Sequence, residues 1–202
     1  MKSGQQNLLG LIGPIRNLFL SQLMGRLASL RAEDFEFETE VIHRDASGTV
    51  ARSDVLNLPH RTDIEIHETG TRFAVDLNDD VWKGFEPTTI WLSDAVSITL
   101  RPFAWNAVVI GFEMDGNVRQ LRRLRNWYLE WFQSRLFADA PALDGAVHSL
   151  SGPEQCNGFW VMKIDLGTAP IEAMIDLLEA LISSGVTEIE IGSSVMTGQV
   201  TN

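Results

Sequence analysis

Apolar and polar positions alternate with a helical period between Asn117 and Phe137, where the chain concentrates both apolar bulk and positive charge. On a helical wheel the apolar residues share one broad arc, and three arginines lie on the opposite side. The pattern predicts an amphipathic helix whose apolar arc packs against a sheet. The arc consists of Val118, Leu121, Leu124, Tyr128, Trp131, Phe132 and Leu136.

The three arginines of this predicted helix are Arg119, Arg122 and Arg123. Three roles remain open for them. They can form a solvated helix face, they can serve as a docking strip for an anionic or acidic partner, or they can make internal ion pairs with an acidic sheet. The sequence alone does not decide between these roles, but it places all three residues away from the apolar arc.

A second apolar stripe lies within residues 1–32 and predicts an N-terminal amphipathic helix. The helix is expected to begin at Pro14. Proline has no backbone N–H, and the N–H groups of the first helical turn make no hydrogen bond within the helix, so proline is well tolerated there. Residues 1–13 are expected to be irregular, since Gly10 and Gly13 interrupt a short apolar run. Three roles are open: packing on the core or across a homo-oligomer interface, contact with a membrane surface, and organellar targeting. The stripe consists of Ile15, Phe19, Leu23, Leu27 and Leu30.

A third helix is predicted around 171–182, where apolar residues again recur at helical spacing. Thr168 is expected to cap its start and Pro170 to lie in its first turn. Gly185 stands where a left-handed residue commonly ends a helix.

Strands are indicated by period-two alternation. The clearest signal is a hairpin of 62–68 with 72–77, whose second strand should turn Phe73, Val75 and Leu77 inward. The stretch 35–43 predicts a half-buried strand with Glu36, Glu38 and Glu40 on a wet outer face. Further strands are predicted over 49–58, 88–92, 96–103, 107–114, 145–150, 157–166 and 187–191, with a turn at 151–153.

These elements predict an α+β protein. The N-terminal helix of 1–32 precedes an antiparallel β-meander of 33–104. Residues 105–192 then follow the order βαββαβ, which is typical of ferredoxin-like folds, and 193–202 form a polar tail. One continuous sheet across both halves is an alternative.

The amino-acid composition and net charge limit the classes of function that the chain can have. The chain has 202 residues and a net charge of −11, which disfavours nucleic acid as a partner because nucleic-acid binding needs a basic surface. Its single cysteine, Cys156, excludes an internal disulfide framework and a cysteine-based zinc site, and it favours a reducing, cytoplasmic setting. The apolar run 8–12 is too short to span a membrane.

Few residues form patterns that are typical of catalytic or metal-binding sites. The run from Asp76 to Asp80 begins like a calcium loop but lacks its glycine and its final glutamate, so a solvated acidic turn is expected. Asp63, Glu65 and His67 share one predicted strand face and suggest a mixed metal site or an acid–base pair. Cys156 and His148 are a weak nucleophile–base pair. No catalytic residue, metal ligand or cofactor is assigned from these patterns.

The predicted function depends on two aromatic residues in the polar loop 78–87. Trp82 and Phe85 stand beside Asp79 and Asp80, and we expect them to be partly exposed as anchors for a partner. The other tryptophans are expected in the core or at its margin. The chain is therefore interpreted as a non-enzymatic acidic module that binds another, basic protein as an adaptor, a masking protein or a chaperone. The alternatives are a small-molecule-binding or regulatory domain and, third, an enzyme of unknown class.

Overall fold

The computed structural model describes residues 2–53, 56–68, 70–77, 83–113, 122–133, 143–156 and 159–193. Helices and strands both occur throughout these residues, and the predicted mixed α+β class is confirmed. The helices are α1 (Lys2–Ala32), α2 (Arg122–Phe132) and α3 (Ile171–Ile182), and the strands are β1 (Glu36–Ile42), β2 (Arg52–Ser53), β3 (Leu58–Pro59), β4 (Arg61–Glu68), β5 (Thr71–Val75), β6 (Thr88–Ser93), β7 (Val96–Leu100), β8 (Val108–Phe112), β9 (Ser149–Cys156), β10 (Phe159–Asp165) and β11 (Glu188–Gly192).

The described strands form three sheets rather than one continuous sheet. The largest has the order β6-β7-β11-β8-β10-β9, and all its neighbours are antiparallel except the parallel pair β7 and β11. A second sheet has the order β1-β4-β5, and β2 pairs with β3. Strands β6 and β7 therefore join the sheet that is built from residues 105–192. The ferredoxin-like arrangement of helices on that sheet stays a prediction.

One face of the six-stranded sheet is buried under the helices. Ile90, Ile98, Ile189 and Phe112 are paired across four neighbouring strands, and each is buried. They belong to one apolar cluster with the buried side chains of α1, α2 and α3. Burial of one such side chain stabilises the fold by about 1.5–3 kcal/mol, so this shared layer is what holds the helices on the sheet.

Helix α1 is longer than predicted. It begins at Lys2, and Pro14 lies inside it rather than in its first turn. A proline within a helix removes one backbone hydrogen bond, but Leu8 and Ile12 precede Pro14 on the same buried stripe as Ile15. Their burial offsets the lost bond. None of the helices within the described residues combines the length and the apolar character needed to cross a membrane.

Two strand predictions were wrong in extent. The predicted strand 49–58 is reduced to short pieces, and Asn57 there adopts a left-handed backbone with φ of 52°. Strand β9 continues through the turn predicted at 151–153, with a cis bond between Gly152 and Pro153. Because β9 is an edge strand of the sheet, Pro153 needs no N–H for an outer neighbour.

The stretch 71–77 follows its predicted orientation only in part, since Val75 and Leu77 are half-buried against the core whereas Phe73 is not. The hairpin of β4 and β5 forms as predicted, but Phe73 is 47% exposed instead of pointing inward. The strand is an edge of its sheet, and residues 71–74 are all exposed. Alternation alone predicts two faces for a strand, but it does not reveal whether anything covers the apolar one.

Helix α2 confirms the predicted amphipathic face over its described length. Leu124, Tyr128, Trp131 and Phe132 are buried, and Arg122 is exposed. The remaining parts of the predicted helix, residues 117–121 and 134–137, lie outside the described residues.

The burial pattern of α2 predicts which substitutions destabilise the protein. Leu124→Ala and Phe132→Ala should each lower the free energy of unfolding by about 2–5 kcal/mol, because each leaves a cavity in the core. Arg122→Ala should change it by less than about 0.5 kcal/mol. Chemical denaturation monitored by circular dichroism measures all three, and equal losses would show that the buried face is assigned incorrectly.

Candidate functional site

The fold gathers five polar residues into one buried group that joins the two larger sheets. Glu40 comes from β1 and Asp63 from β4, while His148 directly precedes β9. Asp165 is the last residue of β10, and Thr168 lies two residues before the N-cap of α3. We call these five residues the His148 cluster. Four of them are buried, and the side chain of Asp165 stays 18% exposed.

Glu40 and Asp63 lie at the same level of the ladder of β1 and β4, although they are not one of its pairs. The pairs Thr39–Ile64 and Val41–Thr62 flank them, and Glu40 itself has a left-handed φ of 53°. Such a backbone costs about 1–3 kcal/mol for a residue other than glycine. The prediction that Glu40 faces solvent is therefore wrong, because segment 143–148 covers this end of the ladder.

The imidazole of His148 lies between carboxylates on both of its nitrogens. Its Nε2 is 3.0 Å from Glu40 Oε1, and its Nδ1 is 3.1 Å from Asp63 Oδ1 and 3.9 Å from Asp165 Oδ2. Gly167, with φ of +50°, lies against the ring: a Cβ at Gly167 would come within 2.2 Å of His148 Cδ2. The ring position therefore requires glycine at 167.

Glu40 is held by more than His148. Thr168 Oγ1 donates a hydrogen bond of 2.5 Å to Glu40 Oε1, and the backbone N–H of Asp144 donates to Glu40 Oε2. The hydroxyl of Thr168 in turn accepts from the N–H groups of Gly145 and Ala146, at 3.0 and 3.3 Å. The predicted helix-capping role of Thr168 is thus wrong, since its hydroxyl serves Glu40 and the segment before His148, and α3 has no side-chain cap.

Arg61 connects the His148 cluster to α2. Its Nη1 donates to Glu40 O at 2.7 Å and to Asp144 Oδ2 at 2.8 Å. Its Nη2 donates to Phe132 O at 2.9 Å, and the guanidinium lies 4.9 Å from the centre of the Phe132 ring. One buried cation thus ties β1, β4, α2 and the segment before β9 together.

The electrostatics favour ionised groups inside the protein. Burial alone would raise the pKa of Glu40, but its contacts with His148, Thr168 and the Asp144 N–H lower this pKa overall. Burial disfavours the charged form of His148, yet Asp63 and Glu40 raise its pKa to about 10. Burial and the like charge of Asp63 raise the pKa of Asp165 against the opposing effect of His148. Glu40 is therefore held as a carboxylate.

The predicted trio of Asp63, Glu65 and His67 is divided by the fold. Glu65 and His67 are half-buried and meet at 3.1 Å, with Arg72 donating to Glu65 at 3.2 Å. Glu38 is paired with Glu65 across the ladder and completes this surface group. Asp63 instead belongs to the His148 cluster, because the covered end of the sheet begins between Asp63 and Glu65.

The suggested pairing of Cys156 with His148 is also wrong. Eight residues of extended β9 separate them, which corresponds to about 26 Å. Cys156 is exposed at the end of the strand, whereas His148 is buried against Glu40 and Asp63.

The predicted partner-binding residues are only partly described. Phe85 is half-buried and packs against the hydrophobic core, so it is partly exposed as expected, and its partner-binding role stays a prediction. Arg122 and Arg123 are exposed on α2, and Arg123 donates a hydrogen bond to the carbonyl of Ser183 at the end of α3. Trp82, Asp79, Asp80 and Arg119 lie outside the described residues.

Strand β6 carries a feature that sequence reasoning missed. Trp91, expected in the core or at its margin, is 63% exposed. On the helix side of the same strand, Leu92 and Ser93 line a cavity of about 360 Å³ between α1, the β6–β7 hairpin and α3. The cavity is mostly apolar, and Glu179 and Ser183 stand among its polar lining residues.

Three members of the His148 cluster were also missed from the sequence, namely Glu40, Asp165 and Thr168. The available signal was weak but real. His148 follows the buried apolar pair Ala146-Val147, and Asp165 stands between the buried apolar residues Ile164 and Leu166. A polar residue in such a place is usually paired.

No protein-family model, curated protein or solved structure matches the chain. The function proposed below therefore rests on the geometry of these sites.

The contact between Gly167 and the His148 ring predicts a sharp effect. Gly167→Ala should lower the free energy of unfolding by about 2–5 kcal/mol, because the new methyl group collides with a buried ring and the backbone is left-handed. Gly25→Ala is the matched control: no atom of the described residues lies within 4 Å of its added Cβ in helix α1, so it should stabilise the fold by up to about 1 kcal/mol. Urea denaturation compares the two, and similar midpoints would contradict the assigned ring position.

Proposed function

We propose that this protein is a non-enzymatic module that binds another protein, and that a basic, extended segment of the partner lies along the outer edge of β6. The observation that carries the proposal is the 63% exposure of Trp91 on that strand. Exposed tryptophans are costly to hydrate and are enriched among the residues that contribute most to protein–protein affinity. A reducing, cytoplasmic setting, proposed from the single Cys156, suits such a module.

The outer face of the sheet supplies charge beside this ring. Pairing places Trp91 next to Ser97, and Ser97 next to Glu188, on the face opposite Ile90 and Ile98. Neighbouring strands lie about 4.8 Å apart, so Trp91 and Glu188 are separated by about 10 Å. An arginine or lysine of the partner can then lie over the indole as a cation–π contact while it approaches the carboxylate.

The position of β6 in the sheet favours an extended partner. β6 is the terminal strand of the six-stranded sheet, and no other described strand pairs with its outer edge. An added strand would use the backbone groups of that edge, with side chains alternating between the two faces. One set would lie on the face of Trp91, and the other would lie on the opposite face of the strand, with Leu92.

Net charge favours a basic partner. At −11, the protein attracts cations over long range, which raises the association rate without fixing the final contacts. Glu188 and Glu190, which pair with Ser97 and Thr99, place acidic groups on the same face as Trp91. Arg122 and Arg123 on α2 remain a proposed second contact, for an acidic part of the partner.

The test uses an array of extended peptides of about ten residues, with basic, acidic and neutral versions of each apolar pattern. The basic versions should be retained, and Trp91→Ala should weaken capture by at least about tenfold, as loss of a central aromatic anchor does. Phe73→Ala is the matched control, because Phe73 is also an exposed ring but lies on β5 of the other sheet. It should leave capture unchanged.

Both substitutions remove exposed rings, so the melting temperature should stay nearly the same for each variant. Equal capture by the wild-type protein and the Trp91→Ala variant would overturn the proposed contact. Equal retention of acidic and basic peptides would overturn the proposed partner chemistry.

The cavity supports a second candidate function, the binding of a small apolar molecule. Its volume of about 360 Å³ lies within the range of ligand sites, and its apolar lining is bordered by the polar groups of Ser93, Glu179 and Ser183. Val96→Phe should fill the cavity and abolish binding of an apolar fluorescent probe, while peptide capture by Trp91 persists. Unchanged probe fluorescence would exclude the cavity as its binding site.

A further inference from the structure

Two buried atoms of the His148 cluster approach each other as an ion pair but form no hydrogen bond among the described residues. Among the described residues, His148 Nδ1 and Asp63 Oδ1 make no hydrogen bond of acceptable geometry, although they lie 3.1 Å apart. Both side chains are fully buried. Buried polar atoms are almost always paired, and an unpaired one calls for a specific explanation such as a bound ion.

We propose that His148 Nδ1, Asp63 Oδ1 and Asp165 Oδ2 bind one divalent transition-metal ion. These three ligand atoms lie within 4.8 Å of one another. Nitrogen and oxygen ligands stand about 2.1 Å from such an ion, so two ligands at a right angle are about 3.0 Å apart and two opposite ligands about 4.2 Å apart. The separations of 3.1 and 3.9 Å from Nδ1 fall between these limits.

The groups around the site orient each ligand towards the shared point. Glu40 Oε1 lies 3.0 Å from His148 Nε2 and holds the proton on that nitrogen. The ion displaces the proton of Nδ1, so that the lone pair of Nδ1 faces the two aspartates. The N–H of Leu77 donates to Asp63 Oδ2 at 2.7 Å, and the N–H of Gly167 donates to Asp165 Oδ1 at 2.8 Å. A carboxylate on the second nitrogen of a metal-binding histidine is the usual arrangement in proteins.

Charge also favours a cation here. Glu40, Asp63 and Asp165 offer three carboxylates, and the imidazole offers a single positive charge. The nearby cation Arg61 donates to the backbone carbonyl of Glu40 and to the carboxylate of Asp144, not to these three carboxylates. Buried charge is costly unless it is paired or coordinates a metal. A divalent ion between Asp63 and Asp165 neutralises both carboxylates and leaves Glu40 as the hydrogen-bond acceptor of His148.

The ligand set restricts the type of ion. One imidazole with two carboxylates suits zinc, manganese, iron or cobalt, whereas a site of oxygen ligands alone would suit magnesium or calcium. Asp165 keeps 18% of its side chain exposed and so provides the route from solvent. Bound there, the ion links β4 of the three-stranded sheet to β10 of the six-stranded sheet, and its role is structural.

The test uses the full chain without a histidine tag, stripped with a chelator and then titrated with Zn²⁺, Mn²⁺ or Co²⁺. Calorimetry should show one equivalent of ion bound per chain, with a rise in the melting temperature. The visible spectrum of bound Co²⁺ should report coordination by nitrogen and oxygen. The ¹⁵N resonance of His148 Nδ1 should shift on addition of Zn²⁺ while that of Nε2 stays protonated.

Three variants locate the site. Asp165→Asn should weaken binding by at least about tenfold, and Glu40→Gln, which acts only through His148, by about 10–100-fold. Glu65→Gln is the matched control, because Glu65 belongs to the surface group of Glu38, Glu65 and His67. It should leave the affinity unchanged. The metal-free melting temperature of each variant checks that it folds.

Either of two results would overturn the proposal. One is a wild-type protein that binds no ion stoichiometrically and whose His148 keeps protons on both nitrogens in the presence of Zn²⁺, which would make the cluster a pure ion pair. The other is a loss of binding in Glu65→Gln with none in Asp165→Asn, which would move the ion to the surface group. The wild-type NMR measurement needs no variant and remains decisive if a substitution unfolds the chain.

Discussion

The placement of His148 between Glu40 and Asp63 is the interaction on which the joining of the two larger sheets depends. Glu40 and Asp63 belong to the three-stranded sheet, and His148 precedes the edge strand of the six-stranded sheet. Buried ionic groups of this kind add little net stability over apolar packing, but removing one partner costs about 3–5 kcal/mol because the other charge remains buried. The cluster therefore specifies how the sheets meet more than it stabilises each sheet.

Local patterns predicted the elements whose two faces differ clearly. The apolar stripe of α3 and the buried arc of α2 could be predicted because the solvent-facing sides of both helices are polar. The β4–β5 hairpin could be predicted from its alternation of apolar and polar residues. The start of α1 was missed because proline commonly lies in the first turn of a helix, which placed the predicted start at Pro14. The burial of Leu8 and Ile12 by other elements explains why the helix begins earlier. The extent of β9 depended on its place at the edge of a sheet, which no local window contains.

The candidate sites were the least predictable part. Glu40 follows two wet glutamates at the same spacing, so its burial depends on what covers it, and segment 143–148 lies about one hundred residues away in the sequence. Thr168 carries a good capping signal, yet its hydroxyl is engaged by Glu40 instead. Trp91 was assigned by residue type to the core or its margin, whereas it lies on the uncovered side of the sheet. For Glu40 and Thr168 a contact between distant segments overrides a correct local preference, whereas Trp91 stays exposed because its face of the sheet is not covered by the described residues.

The place of β11 has a consequence for the order of assembly during synthesis. This strand, the last one described, lies between β7 and β8 and pairs with both. Ser97 on β7, for example, pairs with Glu188 and cannot do so until β11 has been synthesised. Until the ribosome has released that strand, β7 and β8 each present an open edge, and the β6–β7 hairpin has no described link to the rest of its sheet. Pairings so distant in sequence form slowly and leave nascent edges exposed to other chains. A nascent chain of this protein is thus most open to wrong pairing shortly before β11 is made.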